Sequence, residues 1–279
     1  MKGLILAAGY GTRFLPVTKT IPKEMLPLID KPSIAFIIDE FIQSGIEDII
    51  VITSRRKKSL EDYLDREIEL EEIFRREGAA AKLEKIAPYK ANISFIRQQE
   101  MKGTGQALML PEKMIGDEPF VVAYPDDLHF GETPLAAQLI KTWEETGCSV
   151  LSTLHNPPNL ERYGILALKE DGFHVKDIVE KPAPGTEPSK EATIGRYLYT
   201  PDIFKYLREG WGKHTTGEYF HTYALKQQMD RDGVVFKPLE GERLDTGSPA
   251  GYLKAILKYA AKDPDMAAEI LEAADQIRR

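Results

Sequence analysis

The sequence predicts an α/β fold: a Rossmann-like, doubly wound mixed sheet, mainly parallel, flanked by helices and continued by a smaller antiparallel extension. In the first half of the chain, short apolar runs alternate with longer amphipathic stretches, the pattern of a parallel sheet covered by helices. Several of these runs are apolar without alternation, as expected for strands buried on both faces. After Gly164 the runs are closely spaced with short turns, which favours antiparallel or mixed pairing.

The individual elements follow from the same apolar periodicity. Strands are predicted at residues 3–7, 48–53, 93–97, 120–124, 149–154, 164–168, 174–179, 193–199 and 234–238. Helices are predicted at residues 33–44, 60 to about 86, 104–114, 133–145, 201–208, 218–230 and from 249 to near the end. No linker separates these elements, so a single domain is expected over residues 1–279, with a charged helical insertion at 57–90 and a C-terminal helical region at 249–279.

Composition excludes several classes of function. The net charge of −7 disfavours sequence-independent binding of nucleic acid, although small anionic substrates need only a few local cations and backbone N–H groups. The single cysteine, Cys148, excludes an internal disulfide framework, and the five histidines show no metal-ligand spacing. No apolar run approaches the length of a membrane span, and no signal peptide precedes the first strand, so a cytoplasmic protein with no membrane partner is expected.

A phosphate-binding loop is predicted directly after the first strand. The small residues Ala7 and Ala8 lead into Gly9 and Gly11, whose backbones can turn sharply and approach a ligand. N–H groups in such a turn bind anions, and Arg13 adds a cation with a geometry suited to phosphate oxygens. Neither a dinucleotide fingerprint nor a P-loop fits these residues. A tight glycine turn with a solvated arginine is the alternative for this motif alone.

The segment after this loop is apolar but cannot be a regular helix, because it contains four prolines from Pro16 to Pro32 inclusive. Its backbone N–H and C=O groups must still find hydrogen-bond partners. A long apolar segment without helix is therefore expected to have a specific role in the protein. Lys23, inside this segment, could place its ammonium against phosphates that the glycine loop holds.

Together, the Gly9-x-Gly-Thr-Arg13 loop, the Pro22-Lys-Glu-Met-Leu-Pro27 segment and Asp30-Lys-Pro32 resemble the signature of bacterial UTP–glucose-1-phosphate uridylyltransferases, which are sugar-nucleotide pyrophosphorylases. The resemblance covers nearly the whole chain, including the insertion at 57–90. It implies transfer of UMP from UTP to glucose 1-phosphate with release of pyrophosphate, Mg²⁺ as cofactor, and a homodimer or homotetramer.

The resemblance also implies which residues bind the nucleotide. Gln98 and the backbone of Gly103 would read the pyrimidine edge, and Asp126 would bind the Mg²⁺ that bridges the phosphates. Because Asp127 replaces the usual apolar residue of the family, either carboxylate could be the metal ligand. The residues expected to bind nucleotide are Ala7, Ala8, Gly9, Gly11, Thr12, Gln98, Gly103 and Asp126.

On the sugar side, the resemblance assigns residues to the antiparallel extension. Glu180 would accept hydrogen bonds from sugar hydroxyls, Lys181 would neutralise the attacking phosphate, and Asp245 would be the second metal ligand. The residues expected at the sugar phosphate are Gly164, Glu180, Lys181, Gly195 and Arg196.

The implied chemistry is direct in-line displacement at the α-phosphorus, with Arg13, Lys23 and Lys181 as the catalytic cations. Two alternatives stay open. The Asp245-Thr-Gly247 motif is similar to that of glucose-1-phosphate thymidylyltransferases, which favours a thymine nucleotide. A catalytically silent nucleotide-sugar sensor of the same fold is the other, although the complete set of charged residues argues against it.

Overall fold

Strands and helices alternate along the chain in the computed structural model, which describes residues 1–231 and 233–278. The strands are β1 Lys2–Leu6, β2 Pro27–Leu28, β3 Lys31–Pro32, β4 Asp48–Thr53, β5 Asn92–Arg97, β6 Phe120–Ala123, β7 Asp127–Phe130, β8 Ser149–His155, β9 Gly164–Leu168, β10 Val175–Glu180, β11 Glu191–Tyr199, β12 Val234–Pro238 and β13 Glu242–Asp245. The helices are α1 Ser33–Gln43, α2 Lys58–Leu64, α3 Ile68–Glu77, α4 Ala80–Lys85, α5 Thr104–Met109, α6 Glu112–Ile115, α7 Leu135–Thr146, α8 Ile203–Lys213, α9 Thr222–Arg231, α10 Pro249–Ala260 and α11 Pro264–Arg278.

The main sheet is mixed and has the order β10-β9-β11-β6-β1-β4-β5, with β8 paired to β11 and β12 paired to β8. Strands β6, β1, β4 and β5 are parallel, whereas β11 joins β6 antiparallel and β10 joins β9 antiparallel. This arrangement confirms the predicted fold class. Among the described residues, no helix is long and apolar enough to cross a membrane.

The core lies on both faces of this sheet because its central strands contain continuous apolar runs. Leu4 of β1 belongs to one buried cluster, together with Ile50 of β4. The next residues along the same strands, Ile5 and Val51, belong to the cluster on the opposite face. Successive side chains of a strand point to opposite faces, so a continuous apolar run fills both layers.

Three predicted helices are interrupted in the structure. Pro111 separates α5 from α6 and Pro264 begins α11, because proline cannot donate the backbone hydrogen bond of a helix interior. The insertion contains three helices rather than one, and α3 ends at Gly78 in a left-handed conformation (φ 67°). The proline-rich segment forms short 3-10 turns and the β2–β3 hairpin, in agreement with the exclusion of a regular helix.

The pairing of β7 with β13 was not predicted, and it matters for function. Asp245 lies opposite Asp127 in this antiparallel register. The pair therefore brings a segment near the C-terminal helices to the end of β6, where the segment after β1 also emerges. Ligands bind at the carboxyl ends of parallel strands in open α/β sheets, so this is the expected place for a site.

Candidate active site

The glycine loop after β1 packs directly on the proline-rich segment. Gly11 adopts φ 68°, and a Cβ there would lie 3.2 Å from the Cβ of Lys23. The Thr18 hydroxyl donates a hydrogen bond of 2.7 Å to the Gly11 carbonyl. Only glycine combines this conformation with so close an approach, so the loop and Lys23 form one structural unit.

Four charged side chains meet around Gly247. The Lys23 ammonium lies 2.5 Å from Asp126 Oδ2, and Arg13 Nη1 donates a 3.2 Å hydrogen bond to the Gly247 carbonyl. A Cβ at Gly247 would lie 2.9 Å from Asp126 Oδ2 and 3.0 Å from Asp245 Oδ1. The structure thus brings together Arg13, Lys23, Asp126 and Asp245, four residues that are far apart in the sequence and were predicted to act in one site.

The two carboxylates of this cluster could serve as part of a divalent-cation site. Two carboxylate oxygens face the same point beside Gly247, and carboxylate oxygens are the ligands that Mg²⁺ prefers. Within residues 1–231 and 233–278, no group of three or more His, Cys, Asp or Glu side chains could hold a metal. Mg²⁺ is usually bound through one or two carboxylates plus substrate phosphates and water, so these residues fit that cation.

The adjacent carboxylates Asp126 and Asp127 have different surroundings. Burial acts to raise the pKa of Asp126, but the Lys23 ammonium, a backbone hydrogen bond and the Arg13 charge together lower that pKa below its ordinary value. Asp127 Oδ2 accepts a 2.7 Å hydrogen bond from the Gly195 N–H, and its Oδ1 accepts one of 2.6 Å from Arg243 Nε. Asp127 is therefore held inside the protein with its side chain 9% exposed, whereas the Asp126 side chain is 24% exposed in the space around Gly247, which we call the cleft.

A cavity of about 280 Å³ lies between the glycine loop and α5. Gln98, which is 5% exposed, lies on its wall and donates from Nε2 to the Gly103 carbonyl at 3.3 Å and to Gln106 Oε1 at 2.6 Å. Lys23 and Tyr124 also line it, so one cavity joins an amide pair to the charged cluster. Apolar walls with a few oriented polar groups are typical of a binding site for a planar base.

The backbone of Tyr219 fixes the far wall of this cavity. The Tyr219 N–H donates to the Lys102 carbonyl at 2.7 Å, and the Gly105 N–H donates to the Tyr219 carbonyl at 2.9 Å. Gly103 lies between these two bonds with φ 95°, and a Cβ there would lie only 2.5 Å from the Tyr219 carbonyl oxygen. Glycine is thus required at position 103 by both conformation and space.

The predicted sugar residues lie on β9, β10 and β11. Glu180 pairs with Gly164 in the β10–β9 register, and a Cβ at Gly164 would lie 3.0 Å from Glu180 Oε1. Lys181 follows with φ 46°, and its N–H donates to the Tyr163 carbonyl at 3.0 Å. A Cβ at Gly195 would lie 2.8 Å from Asp127 Oδ2. Gly164 and Gly195 therefore leave space beside carboxylates, as a close ligand would require.

Arg196 does not join this group. Its side chain is buried, with Nε donating to Glu40 Oε1 at 3.0 Å and Nη2 donating to Glu40 Oε2 at 2.9 Å and to the Asp127 carbonyl at 3.0 Å. Neighbouring residues of a strand point to opposite faces, so Arg196 lies on the other side of β11 from Gly195. The expectation that its guanidinium binds the sugar phosphate does not agree with this burial.

A comparison with known protein families identifies the family of this chain. The model of the family described as "Nucleotidyl transferase" matches residues 2–262. The chain belongs to the nucleotidyl transferase family.

Relatives of this nucleotidyl transferase match it over almost its whole length. A Staphylococcus saprophyticus protein named UTP–glucose-1-phosphate uridylyltransferase 2 is 43% identical over 277 residues, 97% of this chain and 96% of the relative. A Staphylococcus haemolyticus protein named UTP–glucose-1-phosphate uridylyltransferase is 42% identical over 280 residues, 97% of this chain and 96% of the relative.

Solved structures agree with the sequence relatives. A UDP-glucose pyrophosphorylase complexed with UDP-glucose has a TM-score of 0.80 at 38% identity, covering 94% of this chain and 98% of the other. A UTP-bound UGPase from Acinetobacter baumannii has a TM-score of 0.87 at 30% identity, covering 98% of both chains. The likeness therefore extends over nearly the whole chain.

Several residues that shape the site of this nucleotidyl transferase were missed from the sequence. Glu24 and Lys57 form a buried ion pair beside Lys23, with both Glu24 oxygens 2.7 Å from Lys57 Nζ. Burial raises the pKa of Glu24 and lowers that of Lys57, although each charge opposes the shift of the other. Arg243 was missed too. The partners in the Glu24–Lys57 and Arg243–Asp127 pairs are far apart in the sequence and belong to no motif. The only signal in the sequence was the apolar surroundings of Glu24, which are consistent with its burial.

Replacing Gly103 with alanine is expected to weaken nucleotide binding at least about tenfold, because the new Cβ would force Gly103 away from the Tyr219 carbonyl and distort the cavity wall. The measurement is the dissociation constant for UTP by titration calorimetry. Gly116→Ala is the matched control, since Gly116 also has positive φ (69°) but an added Cβ meets nothing within 4 Å. Equal UTP affinity in both variants would contradict the requirement for glycine at 103.

Proposed function

We propose that this nucleotidyl transferase transfers UMP from UTP to glucose 1-phosphate, giving UDP-glucose and pyrophosphate. The observation that carries the proposal is the meeting of Arg13, Lys23, Asp126 and Asp245 around Gly247, next to the cavity that Gln98 lines. Cations and carboxylates in this arrangement suit a triphosphate with its metal, and the cavity suits the base. The names of the relatives, at 42–43% identity, support the choice of uracil and glucose.

The nucleotide binds across the loop after β1. The backbone N–H groups from Ala8 to Thr12 face the phosphates, because glycines at 9 and 11 leave that backbone accessible. The Ala7 N–H is not among them, since it donates to the Ile52 carbonyl at 2.9 Å. Arg13 and Lys23 neutralise the phosphate oxygens, and the Gln98 amide with the Gly103 backbone recognises the pyrimidine edge.

Asp126 and Asp245 are the residues that would hold Mg²⁺. When bound, the cation would neutralise charge on the phosphate oxygens as pyrophosphate leaves. Asp126 is favoured over Asp127 as the ligand, because both oxygens of Asp127 already accept hydrogen bonds from Gly195 and Arg243.

The sugar phosphate binds on the antiparallel extension. Glu180 accepts hydrogen bonds from sugar hydroxyls, and Lys181 draws the phosphate toward the nucleotide. An oxygen of that phosphate attacks the α-phosphorus in line, a new P–O bond forms, and the bond to the β-phosphate breaks with its electrons leaving on pyrophosphate. The attacking oxygen is already anionic near neutral pH, so the residues position two anions and need not remove a proton.

The test is pyrophosphate release with glucose 1-phosphate and Mg²⁺, comparing UTP with dTTP. UTP is expected to give a kcat/KM at least about tenfold higher, a difference of about 1.4 kcal/mol in transition-state binding. Excess chelator is expected to abolish the release, and added Mg²⁺ to restore it. A preference for dTTP would identify a thymidylyltransferase, and no release with any sugar 1-phosphate would identify a silent sensor.

The proposal includes assembly into a homodimer or homotetramer. Exposed apolar side chains on α10 and α11 support it, with Leu253 57%, Leu271 69% and Ile277 85% exposed. Large apolar side chains left this exposed on two successive helices would be covered in an assembly. Light scattering after size-exclusion chromatography is expected to give two or four times the mass of 31.4 kDa, and a monomer at micromolar concentration would contradict this.

A further inference from the structure

The Lys23–Asp126 ion pair joins two groups that the proposed function assigns to different ligands. Nζ and Oδ2 are 2.5 Å apart, and the side chains are 20% and 24% exposed. In the proposed reaction Lys23 holds the triphosphate and Asp126 holds the cation. Each group must therefore release the other before both can act.

The ammonium of Lys23 and the divalent cation would compete for one oxygen atom. Asp126 Oδ2, which contacts Lys23, is also the oxygen that faces Asp245 Oδ1 beside Gly247. Two positive centres on the same carboxylate oxygen repel each other strongly in a partly buried site. The free protein thus holds its own cation where the metal would bind.

The backbone of Lys23 is fixed on both sides, so only its side chain can change partner. Glu24, the next residue, is anchored by the buried ion pair with Lys57. Gly11 lies close to the Lys23 Cβ, which fixes the stem of the side chain. The flexible end of the lysine can still turn from the carboxylate toward a phosphate on the loop.

We propose that Lys23 is a placeholder cation: it occupies Asp126 in the free protein and moves to the triphosphate when nucleotide binds, so that nucleotide and divalent cation bind with positive coupling. This inference rests on the proposed roles of Lys23 and Asp126. Because coupling is reciprocal, each ligand removes the obstacle to the other. Typical coupling between two sites changes affinity about 5–150-fold.

The first experiment titrates Mn²⁺ into chelator-treated protein without nucleotide, followed by electron paramagnetic resonance. Lys23→Met is expected to bind Mn²⁺ about tenfold more tightly than the unchanged protein. Arg13→Met is the matched control, because it removes a cation that also acts on the Asp126 charge from a distance but is hydrogen-bonded to the Gly247 carbonyl, whereas Lys23 forms the ion pair with Asp126. Lys31→Met, which breaks a lysine–aspartate pair with Asp39 elsewhere, is expected to leave the affinity unchanged.

The reciprocal experiment measures UTP binding in the absence of any divalent cation. Asp126→Asn frees Lys23 and is expected to bind UTP about tenfold more tightly than the unchanged protein. Asp245→Asn removes an equal negative charge from the same cluster, but Asp245 does not contact Lys23. If Asp245→Asn gains less UTP affinity than Asp126→Asn, the gain comes from the release of Lys23. A general change in charge would raise the affinity equally in both variants.

Equal Mn²⁺ affinity in Lys23→Met and unchanged protein would overturn the proposal, and so would equal gains in Lys23→Met and Arg13→Met. The Mn²⁺ titration needs neither UTP nor glucose 1-phosphate. A gain specific to Lys23→Met in a protein that releases no pyrophosphate would therefore support the placeholder while refuting the proposed function.

Discussion

Asp126→Asn is expected to lower kcat for pyrophosphate release by about 10²–10³-fold, the effect of losing one charge contact that acts on the transition state. Asparagine keeps the shape of the side chain but removes the charge that faces Asp245 across Gly247. The Mg²⁺ concentration for half-maximal rate is expected to rise as well. Initial rates at saturating UTP and glucose 1-phosphate, over a range of Mg²⁺, measure both quantities.

Asp127→Asn is the comparison that decides between the adjacent carboxylates. It removes one acceptor from the bonds with Gly195 and Arg243, which would cost about 1–3 kcal/mol of stability for a buried group left unsatisfied. The half-maximal Mg²⁺ concentration is expected to stay unchanged. If Asp127→Asn raises that concentration and Asp126→Asn does not, the metal ligand is Asp127.

Arg196→Met is expected to lower the free energy of unfolding by about 3–5 kcal/mol, because it leaves the buried Glu40 carboxylate without its cationic partner. The arginine side chain is 1% exposed and that of Glu40 is 6% exposed. Urea unfolding at equilibrium measures the loss. The KM for glucose 1-phosphate is expected to stay the same, since the guanidinium lies on the far face of β11 from the cleft.

The double variant Glu40→Leu with Arg196→Met is the control for this prediction. Apolar side chains of similar volume often replace a buried ion pair without loss of stability, so the double variant is expected to recover most of the free energy. A raised KM in Arg196→Met with unchanged stability would instead restore the sugar-phosphate role that the resemblance implied.

The fold was predictable because each central strand contains a continuous run of apolar residues. Continuous apolar runs such as that of β4 indicate strands buried on both faces. The breaks at Pro111 and Pro264 were predictable in principle, since proline disfavours a helix interior. Strands β7 and β13 were not, because four residues each are too few for a periodic pattern and their pairing joins distant parts of the chain.

The grouping of charged residues was predictable where a motif is specific to one kind of chemistry, while their roles stay predictions. Arg13, Lys23, Asp126 and Asp245 meet as the resemblance implied. The role of Arg196 was taken from its neighbour Gly195, although alternation along a strand places the two on opposite faces. The two hydrogen bonds between the Tyr219 backbone and the backbone of Lys102 and Gly105 could not be inferred. Backbone hydrogen bonds between distant segments do not depend on residue type, so the sequence does not indicate them.

In two dipeptides of this protein, one charged side chain lies in the cleft and the next one is buried. Lys23 faces the cleft while Glu24 is buried against Lys57, and Asp126 faces the cleft while Asp127 is buried against Arg243. A shift of one position at Lys23 would therefore place a carboxylate where the proposed phosphate contact needs an ammonium. At Asp126 the same shift would leave either the cleft or Arg243 without its carboxylate, because Pro125 and Leu128 flank the pair. Insertions or deletions of a single residue should accordingly be excluded from both places throughout evolution, even in lineages whose surrounding loops change length freely.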